Sequence, residues 1–258
     1  MLGRVSTLSV MSFNLRYASD VEPNSWAVRR PVMAKLLMSE LPAVLGTQEG
    51  LYGQVLDIAH DLPDHYDWIG LGRAGGSHDE FMAIFFDTLR LEPLEFDHHW
   101  LSATPNVVGS RSWGNIAIRM VTWIRFADRV TGKQFVVVNT HFDNESENSR
   151  VRSAEYVCDR LRAQALPIVL TGDFNAAATA SPTYEILTSG LTDSWLAGPQ
   201  TTPAYGTFHG YGPLVPNGPR IDWILTRGVT VEAAAINTYR RDGQYPSDHL
   251  PVQASIRF

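Results

Sequence analysis

The sequence predicts an α/β domain in which apolar strands alternate with amphipathic helices. Three observations carry that prediction. Runs such as Ile168-Val169-Leu170 are β-prone and apolar on both faces, as strands buried between two layers are. Between such runs lie segments such as Trp26 to Ser39, whose Val28, Val32 and Leu36 recur at helical spacing. Several strands also end abruptly in polar residues, most sharply Leu166-Pro167-Ile168-Val169-Leu170-Thr171-Gly172-Asp173-Phe174-Asn175. At 258 residues, with 44% hydrophobic and 19% charged residues and no linker-like stretch, the chain reads as one domain, 1–258, with enough apolar surface for a sizeable core.

In chain order, Leu8 to Leu15 alternates apolar and polar residues and reads as a strand with Asn14 near its end. The helix Trp26 to Ser39 follows a loop holding Asp20, Glu22, Pro23 and Asn24. Ala43 to Glu49 is a short apolar strand that delivers Gln48 and Glu49 at its C-terminal end. Leu51 to His60 reads as helix, and Asp67 to Gly70 returns to the sheet. The loop Gly70 to Glu80 contains Arg73 and His78, but without a G-x-x-x-x-G-K pattern its glycines are turn punctuation. Phe81 to Phe86 and Leu91 to Leu101 are strands, and His98-His99, lacking partners at ligand spacing, is a packing pair.

Ile116 to Phe126 alternates, with Ile116, Ile118, Met120, Thr122 and Ile124 on one side, and Phe135 to Thr140 is β-branched; Thr131-Gly132-Lys133 joins them as a hairpin. That pair ends in Asn139-Thr140-His141-Phe142-Asp143. A helix over Glu145 to Ala165 leads into the Ile168 strand, which Pro167 can open. Gly172 is expected to let the backbone leave the sheet, and Asp173 and Asn175 share a side if the chain stays extended. Alone, Asp-Phe-Asn reads equally well as a helix-capping turn, and Glu49 as an exposed helix start. Ser181-Pro182 opens a helix. The aromatic residues of Gly198 to Pro219 favour an ordered loop. Arg220 to Leu225 is a strand with Asp222 near its start, Val229 to Tyr239 is its expected partner, and Ser247-Asp248-His249 precedes the last strand, Val252 to Phe258.

The net charge of −6 and the absence of any dense Lys/Arg run exclude the electrostatic footprint of a general nucleic-acid binder. The single cysteine, Cys158, has no intrachain partner and reads as a buried helix residue. No stretch approaches about 18 apolar residues, and Met1 to Val10 has no sustained apolar segment, so the chain as given is expected to be cytoplasmic.

In their order, Asn14, Glu49, Asn139-Thr140-His141, Gly172-Asp173-Phe174-Asn175, Ile221-Asp222-Trp223 and Ser247-Asp248-His249 resemble the endonuclease/exonuclease/phosphatase superfamily. That superfamily includes deoxyribonuclease I, abasic-site endonucleases, inositol-polyphosphate phosphatases and bacterial sphingomyelinases. The resemblance implies a deoxyribonuclease I-like four-layer sandwich, two face-to-face mixed sheets flanked by helices. It also implies a Mg²⁺ or Mn²⁺ site at Glu49 with Asn14 and Asp248. Asp173 would activate the attacking water, with Asn175 holding that water or a phosphoryl oxygen. His249, oriented by Asp222, would contact the phosphate, and His141 would donate to phosphate or protonate the leaving oxygen.

The resemblance is closest to small bacterial metal-dependent hydrolases of unsettled substrate, through Met11 to Tyr17, Trp26 to Arg30, Arg119 to Trp123 and Asn139 to Asp143. Two departures bear on substrate identity. Gly114 and Asn115 stand where such relatives often place an Asp after the residue matching Trp113, and Asp79-Glu80-Phe81 stands in place of Gly-Glu-aromatic. Arg119 and Arg150 are candidate phosphate binders, because a guanidinium offers a bidentate fork. The activity so implied is a metal-dependent phosphoesterase acting as a monomer on a small or medium organic phosphodiester or phosphomonoester, with no membrane partner. A nuclease using the same site and a non-catalytic binding module are the alternatives.

Overall fold

The computed structural model describes residues 7–258, so residues 1–6 of the Met1 to Val10 stretch lie outside the described residues. Its elements are β1 (Leu8–Asn14), α1 (Trp26–Glu40), β2 (Val44–Gln48), α2 (Tyr52–Asp61), β3 (Tyr66–Ile69), β4 (Ile84–Asp87), β5 (Leu91–Trp100), β6 (Met120–Asp128) and β7 (Gln134–His141). They continue with α3 (Glu147–Arg162), β8 (Ile168–Asp173), α4 (Pro182–Thr188), β9 (Thr192–Asp193), α5 (Ser194–Ala197), β10 (Asp222–Arg227), β11 (Thr230–Ile236) and β12 (Val252–Arg257). Six strands form one mixed sheet in the order β11-β12-β1-β2-β4-β3, and six form the other in the order β5-β6-β7-β8-β10-β9.

Strand periodicity sorts the side chains into layers. Leu8 and Val10 of β1, Val44, Val137, Val169 and Ile224 fill the core between the sheets. The alternate residues Met11, Phe13 and Leu45 pack under Met33, Leu36 and Leu37 of α1 and Val55 and Ile58 of α2. On the other side Val136, Val138, Leu170 and Trp223 pack under Ala154, Val157 and Leu161 of α3 and Leu187 of α4. The result is helix, sheet, sheet, helix. Among the described residues no helix is long and apolar enough to cross a membrane.

Toward one end the inter-sheet faces turn polar in step. The same side of β1 that carries Val10 goes on to Ser12 and Asn14; β7 goes from Val137 to Asn139 and His141, and β8 from Val169 to Thr171 and Asp173. Asn139 clamps the sheets together there. Its Nδ2 donates to the carbonyls of Thr47 (2.7 Å) and Ala83 (3.0 Å), and its Oδ1 accepts from Gln48 Nε2 (2.7 Å) and Thr171 Oγ1 (3.0 Å). All four hydrogen-bonding positions of the amide are filled, which offsets the cost of burying this polar group. Gly46 makes room for it, since a Cβ would collide with Thr171 Oγ1 and the Asn139 side chain.

Three expectations are corrected. Val229 to Tyr239 does not pair with the Asp222 strand: both edges of β10 are taken by β8 and β9, and β11 crosses to pair with β12. Gly172 does not release the chain from the sheet. It stays in β8 opposite Thr140 and Trp223, where a Cβ would lie 2.8 Å from the Thr140 carbonyl oxygen. The alternation from Ile116 does not mark a strand start, because Asp143 Oδ2 accepts from the backbone N–H of Ile116 (3.1 Å) and Ala117 (3.4 Å) and holds this segment as a loop until Met120.

Candidate active site

Topology brings the polar strand ends to one rim. Parallel β1 and β2 end together, with Asn14 beside Gln48, as do parallel β7 and β8, with His141 beside Asp173. β10 runs antiparallel to β8, so its first residue, Asp222, lies opposite Asp173. β12 runs antiparallel to β1, so the Ser247-Asp248-His249 segment before it arrives at the same end. The chain makes tight turns as it leaves the strands here: Arg16, Glu49 and Asn175 have φ of 55°, 62° and 49°, in the left-handed region that costs a side chain energy and recurs at functional sites.

Asn14 lies between two carboxylates. Its Nδ2 donates to Glu49 Oε1 (3.0 Å) and Asp173 Oδ2 (2.9 Å), while its Oδ1 accepts the backbone N–H of Arg16 (2.9 Å). The donor at Arg16 fixes which way the amide points, so the N–H groups of Asn14, rather than the oxygen expected from sequence to ligate a metal, face the two carboxylates. Glu49 Oε2 also accepts from the Tyr17 N–H at 3.1 Å. The Arg16 guanidinium reaches toward Glu49 (4.0 Å) and Asp248 (3.7 Å).

His249 Nδ1 sits 3.0 Å from Asp222 Oδ2, the carboxylate–imidazole pairing expected from sequence, and its Nε2 is 3.8 Å from Asp173 Oδ2. Burial alone would depress this imidazole, but the charges of Asp222 and Asp173 outweigh it and hold His249 protonated above its ordinary range. Asp173 is pushed up by burial first and the neighbouring Asp222 second. Burial likewise raises Asp248, and takes Glu80 up to about 7 against the opposing pull of Arg73.

His141 has the opposite character. Burial, then Arg119 and Arg73, hold it well below its ordinary range, so it is neutral. Asn175 Nδ2 donates to its Nε2 at 3.0 Å and to the Phe142 carbonyl at 3.0 Å. An acceptor at Nε2 places the ring proton on Nδ1, which is buried and has no hydrogen-bond partner; the nearest carboxylate oxygen, Glu80 Oε2, is 3.9 Å away. Asn175 is also fixed by its own N–H, which donates to Asp173 Oδ1 at 2.9 Å.

These groups line a cleft of about 580 Å³, walled by Arg73, Glu80, Arg119 and Asn144 on one side and by Arg16, Tyr17 and Phe208 on the other. Two other clefts of similar volume, one between α3 and the outer face of β6 and β7 and one between Tyr211 to Leu214 and Thr238 to Tyr245, hold none of this machinery. Of the residues anticipated from sequence, Glu49, Arg119, His141, Asp173, Asn175, Asp248 and His249 line the site cleft, with Asn14 and Asp222 directly behind them. Arg150 does not line it: Nη1 donates to the Asp143 carbonyl at 2.9 Å and ties the first turn of α3 to the preceding loop. The Trp113 to Asn115 departure lies outside the cleft beside that turn, with Asn148 Nδ2 donating to the Trp113 carbonyl at 2.8 Å, whereas Glu80 forms part of the wall.

Sequence reasoning missed Arg29. This guanidinium is completely buried and spends all five N–H groups on carbonyls: Asn24 (2.9 Å), Leu15 (2.7 Å), Pro246 (3.0 Å), Arg16 (3.0 Å) and Tyr17 (3.1 Å). It thereby joins the turn after β1 to the segment that carries Asp248 and His249. The available signal was a charged residue on the stripe of α1 that holds Val32, Met33 and Leu36.

Residues 11–249 match the family model for the endonuclease/exonuclease/phosphatase family. The chain belongs to that family. An endonuclease/exonuclease/phosphatase from Bacteroides vulgatus is 30% identical, covers 98% of this chain and 99% of its own, and superposes with a TM-score of 0.91. A mannosyl-6-phosphatase of Bacteroides thetaiotaomicron is 32% identical over 97% of this chain and 100% of its own, with a TM-score of 0.89. An uncharacterized protein of Acanthamoeba polyphaga mimivirus is 28% identical over 160 residues, so this chain spans 59% of that relative's length and 58% of its own. The deoxyribonuclease I-like sandwich characteristic of the family is the fold described above.

The donor set fits the divalent cation associated with the endonuclease/exonuclease/phosphatase family. Glu49, Asp173 and His249 each bring one ligand-capable atom within 4.8 Å of the others; with His249 held protonated, the donors left for a cation are the carboxylate oxygens of Glu49 and Asp173 and of the nearby Asp248. Clustered hard oxygens of like charge suit Mg²⁺ or Mn²⁺.

Proposed function

We propose that the chain is a divalent-metal-dependent phosphoesterase that hydrolyses a small organic phosphoester by in-line attack of water. The observation that carries this reading is the juxtaposition, in one cleft, of a buried carboxylate cluster with fixed, buried donors. Glu49, with Asp248, would hold Mg²⁺ or Mn²⁺, which when bound neutralises charge developing on the phosphoryl oxygens. Asp173, aligned by Asn14 and by the Asn175 N–H, would take a proton from the attacking water. Asn175, whose amide N–H groups are spent on His141 and the Phe142 carbonyl, would hold that water through its Oδ1. His249, held protonated by Asp222 and Asp173, would donate from Nε2 to a phosphoryl oxygen. In the balanced reaction the water oxygen forms the new P–O bond, the ester P–O bond breaks, and the leaving alkoxide takes up a proton.

With Nε2 engaged by Asn175, His141 offers a Nδ1 proton, which suits it to bind a phosphoryl oxygen. The net charge of −6 and a cleft of about 580 Å³ support a small substrate over a long anionic polymer. The mannosyl-6-phosphatase relative, aligned over nearly the whole chain, makes sugar phosphates the first substrates to try. The test is hydrolysis of p-nitrophenyl phosphate, bis-p-nitrophenyl phosphate, mannose 6-phosphate and supercoiled plasmid with Mg²⁺, Mn²⁺ or a chelator. Metal-dependent turnover of a small ester with the plasmid intact is expected. Plasmid nicking at low enzyme concentration would replace this reading with a nuclease, and failure to bind either cation would leave a non-catalytic module.

A further inference from the structure

Beside the carboxylate cluster the cleft wall presents donors that nothing among the described residues satisfies. Arg119 is 4% exposed and stands immediately before β6. Its Nη2 donates to Asn144 Oδ1 at 2.9 Å, but Nε and Nη1 have no hydrogen-bond partner among the described residues. The nearest carboxylate, Asp143, is 3.7 Å from Nε, and its oxygens already accept the N–H groups of Ile116, Ala117, Glu145 and Ser146. The Nδ1–H of His141 is likewise unpartnered. Arg73 adds a second guanidinium to this wall, held in place by two carboxylates, Glu80 at 2.6 Å from Nη1 and Asp79 at 2.9 Å from Nε, of which Glu80 lines the cleft with it.

Buried donors without acceptors each cost roughly 1–3 kcal/mol, and native structures keep few of them without a reason. We propose that Arg119 and His141 Nδ1, backed by Arg73, form an anion subsite that receives a third terminal phosphoryl oxygen and selects phosphomonoesters over phosphodiesters. This deepens the phosphoesterase reading and rests on it. A monoester presents three terminal oxygens and close to two negative charges, whereas a diester presents two oxygens and one charge. Oxygens directed at the Glu49–Asp248 side and at His249 account for two. The third oxygen of a monoester meets the Arg119 fork. A diester must place a weakly accepting ester oxygen and its substituent there, against the Arg73–Glu80 pair.

The experiment compares kcat/KM on p-nitrophenyl phosphate and bis-p-nitrophenyl phosphate, which share a leaving group, for wild type, Arg119→Met and Arg119→Lys with Mn²⁺. Wild type is expected to prefer the monoester. Arg119→Met should cut the monoester-to-diester ratio by about 100-fold, the worth of losing two charge-assisted bonds in part replaced by water. It should also weaken competitive inhibition by inorganic phosphate to a similar degree. An equal loss on both esters, or an unchanged ratio, would overturn the proposal. If Arg119→Met does not fold, Arg119→Lys carries the test: with a point charge in place of a fork the ratio should fall about 10-fold, and an unchanged ratio overturns the proposal. Should wild type hydrolyse neither ester, the phosphoesterase reading fails. Titration of inorganic phosphate followed by ³¹P NMR then decides the subsite separately: binding lost in either variant supports it, and binding unaffected by both refutes it.

Discussion

Replacing Arg29 tests how the two halves of the site are held in register. Arg29→Met removes five hydrogen bonds from a completely buried cation to carbonyls at Asn24, Leu15, Arg16, Tyr17 and Pro246. At about 1.5–3 kcal/mol each the bonds would sum to the whole stability of a typical domain. That sum is too large, because the substitution also relieves several kcal/mol of guanidinium desolvation and water can enter at the Tyr17 end. The balance expected when a buried charged network loses a partner is about 3–5 kcal/mol. For 258 residues the unfolding entropy is about 0.5 kcal/mol per degree, so Tm should fall by roughly 6–9 °C. Arg29→Lys keeps the charge and at most three donors, so its Tm should lie between. The assay is thermal unfolding followed by circular dichroism, with and without Mn²⁺. Because four of the five carbonyls belong to the segments carrying Arg16, Tyr17 and Asp248, the Mn²⁺-induced rise in Tm should shrink in both variants. A Tm for Arg29→Met within about 1 °C of wild type, or an undiminished Mn²⁺ effect, would refute the reasoning.

Other expectations follow from the same geometry. Asp173→Asn should lower kcat by about 10³-fold with the far-ultraviolet spectrum unchanged, and substantial residual turnover would remove it as general base. In metal-free protein, carboxyl NMR should find Asp173 titrating above the ordinary carboxylate range of about 4, because burial and Asp222 favour its neutral form. Asp222→Asn should move that titration downward and lower His249 as well, since Asp222 raises both; no movement in either would show that the three are not coupled. Gly46→Ala forces a methyl into Thr171 and Asn139 and should cost about 1–3 kcal/mol by urea unfolding, with a wild-type midpoint showing that the inter-sheet clamp tolerates it.

Much of the site is legible because strand periodicity is local. β1, β7 and β8 each switch from apolar to polar on a single face, so Asn14, His141 and Asp173 announce themselves at strand ends. Asn139 belongs to the same pattern, yet in the folded chain it joins the two sheets and never reaches the cleft. Arg29 was hidden because helical spacing marks a buried stripe but not which buried position faces the site loops. Arg150 and Arg119 are equally plausible forks in sequence. Only the packing of Asp143 and Asn144 decides that Arg119 faces the cleft while Arg150 ties down a helix.

What the sequence determined by itself is therefore the longer helices and strands, though not β9, α5 or the start of β6, together with the four-layer order implied by family resemblance and the polar ends of the central strands. Side-chain period and turn chemistry act over a few residues, and the family motifs recur in a specific order. The tertiary structure alone decided that β11 leaves β10 for β12, that Asn14 turns its N–H groups to Glu49 and Asp173, and that unpartnered donors of Arg119 and His141 meet in one wall. Those outcomes depend on which sheet edges are already paired and which donors find acceptors, and both are settled by residues brought together from distant parts of the chain.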